Sequence, residues 1–222
     1  MRTILTYTED ELIDYVKGTL IKNGGETPSL YFQKFRSRSE HCRRVMKWCE
    51  KIVLHEDWDH KDIKRVDMDV LLLSAAFHDI GYNSSGLPHE EYGCRLFERF
   101  TEQHPVEKTI VDQVLFNILH HSKGDRDTIP ESDSIELIIL KEADLLDEEG
   151  FMGIAAVCMM EGMMAAECGG YKGAARRIEK FAGEILTYSP MVTPYADRCW
   201  KEKQEEVRYF IKKYKESCFW DS

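Results

Sequence analysis

No Cys-x-x-Cys pair occurs in this 222-residue sequence, and its seven cysteines, an odd number, are scattered without regular spacing. That pattern excludes a zinc ribbon or a disulfide framework and points to a reducing, cytoplasmic setting. Long apolar runs are also missing. The opening stretch MRTILTYTEDEL has no apolar core of signal-peptide length, and the most apolar later stretch, Phe151 to Ala166, is interrupted by Glu161 and too short to span a bilayer. No membrane association is therefore expected. A basic excess is absent too, since the formal net charge is −10, which argues against a general nucleic-acid surface. It does not argue against a phosphate ligand, because a bound cation would set the local field whatever the total charge. Period-two alternation is nowhere sustained, and no internal repeat or low-complexity segment interrupts the chain.

What is present is helical periodicity. Hydrophobic residues make up 43% and charged residues 32%, enough for a sizeable core, and the length fits one domain over residues 1–222. Thr8-Glu9-Asp10-Glu11 reads as a capped helix start, followed by Leu12, Ile13, Val16 and Leu20 at helical spacing until Asn23-Gly24-Gly25. Ser37 or Ser39 can cap a second helix, on which His41 shares a face with Val45, Trp48 and Ile52. His55 and His60 stand in the polar run HEDWDHKDIKRVD and read as surface residues. After Gly169-Gly170 two more helices follow, one over 174–187 and a long charged one beyond Pro190 and Pro194. The expected architecture is all-α, a single compact bundle of seven or more helices.

Several polar side chains fall at the edges of apolar helical patterns. The run Val70 to Phe77 ends in His78-Asp79 and then Gly81, which drives two metal-competent groups to the end of a buried helix. Groups taken out of water there need partners, either a shared cation or hydrogen bonds, with Asp79 acting as a helix-end cap in the second case. Pro88 opens a helix whose stripe of Tyr92, Gly93, Leu96, Phe97 and Phe100 includes His89. The stripe Ile110, Val114, Ile118 runs on to His121, with His120 one residue off it. Behind Ser134, Leu137 and Leu140 or Lys141 align with Asp144, whose carboxylate must then find a cation or strong donor. Asp147, one turn later, suits a cap or supporting hydrogen bond.

A His, a His-Asp dyad and a distant Asp, here His41, His78-Asp79 and Asp144, resemble the signature of the HD-domain superfamily of metal-dependent phosphohydrolases. The resemblance covers roughly residues 35–160. It implies one or two divalent transition metals per chain, manganese, iron, nickel or zinc, held by His41, His78, Asp79 and Asp144. A second metal would fall to His89, His120 and His121, with Asp79 bridging. Lys123 or Arg126, in the loop after the His pair, could meet a substrate phosphate.

The implied activity is hydrolysis of a small phosphorylated substrate, a nucleotide, phosphomonoester or phosphodiester, by a metal-activated water, with His78 and Asp79 at its centre. Tyr82 stands where the cyclic-dinucleotide branch of the superfamily carries Lys, and SKGDRDTIP after His121 lacks that branch's Gly-Tyr-Pro, so such a substrate is not expected. Two other readings remain. One is a diiron oxygenase of the same superfamily, with ligands drawn from His41, His78, Asp79, His89, His120 and Asp144. The other is a non-catalytic HD binding module.

Overall fold

The computed structural model describes residues 3–4, 6–24, 37–56, 66–82, 86–122, 129–130, 133–163 and 170–218. His60, Lys123 and Arg126 lie outside the described residues. Nine helices are described: α1 Glu9–Lys22, α2 Arg38–His55, α3 Met68–Phe77, α4 His89–Gln103, α5 Lys108–His120, α6 Ile135–Glu148, α7 Phe151–Met163, α8 Gly170–Ile185 and α9 Pro194–Cys218. The all-α expectation holds. One element was not expected, a minimal antiparallel hairpin of β1 (Thr3–Ile4) and β2 (Tyr7–Thr8).

Side-chain caps fix where the site-bearing helices begin. Ser37 accepts from the backbone N–H of Glu40 at the start of α2, Asp67 from Asp69 and Val70 at α3, and Ser134 from Leu137 at α6. Thr8 and Glu11 form a reciprocal capping box on α1. Each cap sets the helical phase of the residues that follow, so it also sets which of them turn inward.

The core is built around α3, where every residue from Val70 through Gly81 is buried. It packs against α1, α2, α5 and α6, so it has no solvent face. That explains a sequence apolar all round rather than on one stripe. On α2 the inward face is His41, Cys42, Val45, Met46, Cys49 and Ile52, while Trp48 is only partly buried. The buried thiols of Cys42 and Cys49 act as small apolar fillers, and burial pushes both well above the ordinary thiol range.

The last third of the chain is tied back by buried carboxylates. Glu142 on α6 accepts hydrogen bonds from the backbone N–H groups of Val192 and Thr193 and from the Thr193 hydroxyl, at 2.6, 2.7 and 2.8 Å. Glu56, just past α2, accepts from the N–H of Tyr195 at 2.6 Å. These bonds hold the start of α9 against α2 and α6, where Trp200 fills the core and its indole N–H donates to the Tyr188 carbonyl.

Candidate metal centre

The turn after α3 delivers His78 and Asp79 into the space between α2, α4, α5 and α6. Gly81 makes this possible, because a Cβ there would collide with the carbonyl of His89 and the N–H of Gly93 on α4. The close approach places the first residue of α4, His89, against Asp79. Asp79 is buried, and its two oxygens face two different sets of nitrogens. Oδ2 lies 3.6 Å from His41 Nε2 and 3.8 Å from His78 Nε2. Oδ1 lies 3.6 Å from His89 Nε2 and 3.7 Å from His121 Nε2.

Two clusters result that could hold metal ions, His41, His78 and Asp144 in one and Asp79, His89 and His121 in the other. In the first, Asp144 Oδ1 is 3.0 Å from His41 Nε2 and 3.9 Å from His78 Nε2. The Asp144 side chain keeps 21% exposure, so the centre opens to solvent beside it. His120 belongs to neither cluster, and its ring lies tilted against that of Phe116, centroids 4.3 Å apart. His55 is exposed and stacks on Tyr195.

All four histidines turn the same ring nitrogen to the protein. His78 Nδ1 donates to the Ala75 carbonyl at 2.8 Å and His121 Nδ1 to the Ile118 carbonyl at 2.7 Å. His41 Nδ1 lies 2.7 Å from Asp147 Oδ2, and His89 Nδ1 lies 3.3 Å from Glu90 Oε2. Carbonyl and carboxylate oxygens can only accept, so Nδ1 carries the proton and Nε2 the inward lone pair when the ring is neutral. Nε2 of His78 faces that of His41 at 3.2 Å, and Nε2 of His89 faces that of His121 at 3.3 Å. Two lone pairs pointed at each other repel, so a proton or a bound cation must lie between the members of each pair. The residues therefore fit a cation in the place of that proton, and a backing oxygen on every Nδ1 is the support metal-ligating histidines ordinarily have.

The electrostatics agree. Burial pushes His78 down to about 4 and also lowers His89, so both present neutral nitrogens. Burial opposes ionisation of Asp79 and Asp144, yet the surrounding histidines, with Arg38 in the case of Asp79, hold both well below the usual carboxylate range. Burial likewise opposes charge on His41, but hydrogen bonds to Asp144 and Asp147 override it and raise its pKa to about 10. A cation taking the place of the second proton on His41 would leave neutral imidazole beside ionised carboxylate, a donor set suited to a borderline divalent metal.

Two supporting side chains, Arg44 and Arg38, were not singled out by the sequence pattern, and a third, Tyr82, was noted there only as a departure from a related branch. Arg44 forks onto Asp147, Nε to Oδ1 at 2.7 Å and Nη2 to Oδ2 at 2.9 Å, which locks the carboxylate that holds His41. Arg38 donates from Nη1 to Asp79 Oδ2 at 2.7 Å, and its guanidinium lies 3.8 Å over the Tyr82 ring. Burial disfavours its charge, but the neighbouring Asp79 carboxylate keeps it. Its Nε is buried with no hydrogen-bond partner among the described residues. Tyr82 in turn packs on the His89 ring at 4.3 Å. An Arg one position after a helix cap gives no periodic signal, since its role arises only where α2 meets the turn after α3.

Comparison with known proteins places these observations. The HD domain family matches residues 38–149. Among solved structures, an HD-superfamily hydrolase from Bacillus thuringiensis superposes with a TM-score of 0.64 at 21% identity, covering 94% of this chain and 95% of its own. Bacillus subtilis YpgQ in complex with ADP gives 0.61 at 20% identity and 94% coverage of both chains. A predicted HD superfamily hydrolase from an uncultured Thermotogales bacterium gives 0.55 at 17% identity, covering 92% and 90%. At these identities the likeness is one of fold. No curated protein sequence matches this chain significantly.

Proposed function

Because this chain belongs to the HD-domain family, we propose that its buried centre binds a divalent metal and hydrolyses the phosphoester or phosphoanhydride bond of a small phosphorylated substrate. The observation that carries this reading is Asp79, whose two oxygens face two clusters of inward-pointing imidazole nitrogens. His41, His78 and Asp144 would hold one cation and His89 and His121 a second, with Asp79 contributing an oxygen to each. Manganese, iron, nickel and zinc all suit that donor set. The chemistry such a cation supplies is a water activated near neutral pH and a polarised phosphoryl oxygen.

The chain's own residues do the rest. Asp147, clamped by Arg44, keeps the proton on His41 Nδ1, and the carbonyls of Ala75 and Ile118 do the same for His78 and His121. These bonds leave every Nε2 aimed at the reacting space without a rotamer search. Arg38 places a fixed positive charge at the edge of Asp79, where a phosphoryl oxygen would approach, and its unpartnered Nε is a donor still to be satisfied. Tyr82 and the close Gly81 to Gly93 contact wall off the far side of the centre.

The ADP complex of YpgQ, which shares the fold, makes nucleotides the first substrates to test. The experiment is a phosphate-release screen. Protein loaded with manganese, iron, nickel or zinc is offered nucleoside mono-, di- and triphosphates, sugar phosphates and a generic phosphodiester, with oxygen uptake recorded in parallel. Metal-dependent release from at least one member is expected. Oxygen consumption with an organic substrate and no phosphate release would contradict the reading.

A further inference from the structure

Beside the metal centre lies a recess of about 100 Å³. One wall is polar, formed by Ser37, Arg44 and Asp147, and the opposite wall is Met152, Ala155, Ala156 and Met159 of α7. Two links join the recess to the centre. Ser37 immediately precedes Arg38, whose guanidinium reaches Asp79, and Asp147 holds His41 from its Nδ1 side. The opening of the centre at Asp144 lies one helical turn before Asp147 on α6, about 5 Å along the helix, so the recess lies beside that opening.

The two walls ask for different chemistry. Arg44 commits Nε and Nη2 to Asp147, and Nη1 bonds none of the described residues, so a donor is left at the recess. Met152 and Met159 are about half exposed, and α7 carries no charged residue from Phe151 to Met160. Exposed thioethers and alanine methyls across from a guanidinium are suited to a flat ring, apolar on its faces and hydrogen-bonding at its edge. Size narrows this further. A closed cavity of about 150 Å³ accommodates benzene, so an open recess of about 100 Å³ covers part of one ring and leaves a second ring outside.

We propose that this recess is the subsite for the organic group of the phosphorylated substrate, a moiety of one-ring size such as a pyrimidine, with its edge on Arg44 and its face on Met152 and Met159. The proposal rests on the phosphohydrolase reading for the phosphoryl end only. It predicts that affinity comes from the ring as well as from the phosphate.

Calorimetric binding of uridine 5′-monophosphate and ribose 5-phosphate to the manganese-loaded protein tests this, because the two differ by the base alone. Wild type should bind the nucleotide about tenfold more tightly, the gain expected for covering part of one ring. Ala155→Leu, at an exposed position where the fold tolerates it, should bring the ratio to near one, and Met159→Ala should reduce it, both with unchanged metal content and circular dichroism. A wild-type ratio near one, failure to bind either compound, or a ratio that survives both substitutions overturns the subsite. The hydrolase reading fails differently. Phosphate release with an unselective recess contradicts the subsite alone, whereas a recess-dependent binding ratio with no phosphate release contradicts the reaction alone.

Discussion

Asp147 illustrates how one hydrogen bond can set the chemistry of a ligand it does not replace. Its carboxylate accepts from His41 Nδ1 at 2.7 Å while Arg44 holds it from the other side. Asp147→Asn keeps the shape but offers an amide in place of a charged acceptor, so His41 loses the partner that fixes its tautomer. Metal affinity should fall about 10- to 100-fold, measured by calorimetric titration, with helical content unchanged. An unaltered affinity would show that His41 needs no such support. The sequence marked Asp147 as a cap or a supporting hydrogen-bonder because it falls one turn after Asp144. It assigned both His120 and His121 to a second metal, and the structure brings only His121 into a cluster. Adjacent residues differ by a third of a turn, and it is the packing of α5 against α3 and α4 that turns His121 to Asp79 while His120 lies tilted against Phe116. Arg38 and Tyr82 were illegible as a pair for the same reason, since residues 38 and 82 meet only across the packed α2 and α3 ends.

At the level of elements, the second cluster depends on how closely α4 approaches the turn after α3. Gly81→Ala puts a Cβ into the backbone of His89 and Gly93, so α4 must move away and carry His89 from Asp79. The expected result is loss of the metal held by His89 and His121 with retention of the one held by His41, His78 and Asp144, read as a fall from about two to about one equivalent per chain. Unchanged stoichiometry would mean that α4 can shift without moving His89. A second element-scale prediction concerns Glu142, which clamps the α9 entrance. Burial, reinforced by the nearby Glu56 carboxylate, raises its pKa to about 7 despite three hydrogen bonds. The folded state thus holds this proton more tightly than the unfolded chain does, and stability from this group is full below about pH 4.5 and is lost as pH rises through about 7. Glu142→Gln keeps an acceptor without the charge. Its stability relative to wild type, from urea unfolding, should rise between pH 5 and pH 8. A difference that is the same at both pH values would contradict the ionisation argument.

On the scale of the whole molecule, helical periodicity carried most of the architecture. Each of the capped, amphipathic stretches in the sequence corresponds to a described helix, and even the run with no amphipathic face, Val70 to Phe77, proved helical because it is surrounded on all sides. The hairpin of β1 and β2 escaped notice because strands of two residues are too short to show a period. The ties from Glu56 and Glu142 to the α9 entrance also escaped, since both bind backbone N–H groups, which leave no trace in residue type. Among the described residues no helix is long and apolar enough to cross a membrane. What the fold accomplishes as a unit is to bring five residues from α2 and α6 and from the ends of α3, α4 and α5 around one carboxylate, Asp79.

That convergence is tested most directly by counting metal. Protein purified without chelators, as wild type and as Asp79→Asn, should be measured for bound transition metal by mass spectrometry, with circular dichroism confirming the fold of each. Wild type should carry about two equivalents per chain, and Asp79→Asn, which removes an oxygen from both clusters at once, should lose metal from both together. Full occupancy in Asp79→Asn, or wild type that binds none when manganese, iron, nickel or zinc is supplied, would contradict a metal centre organised around Asp79.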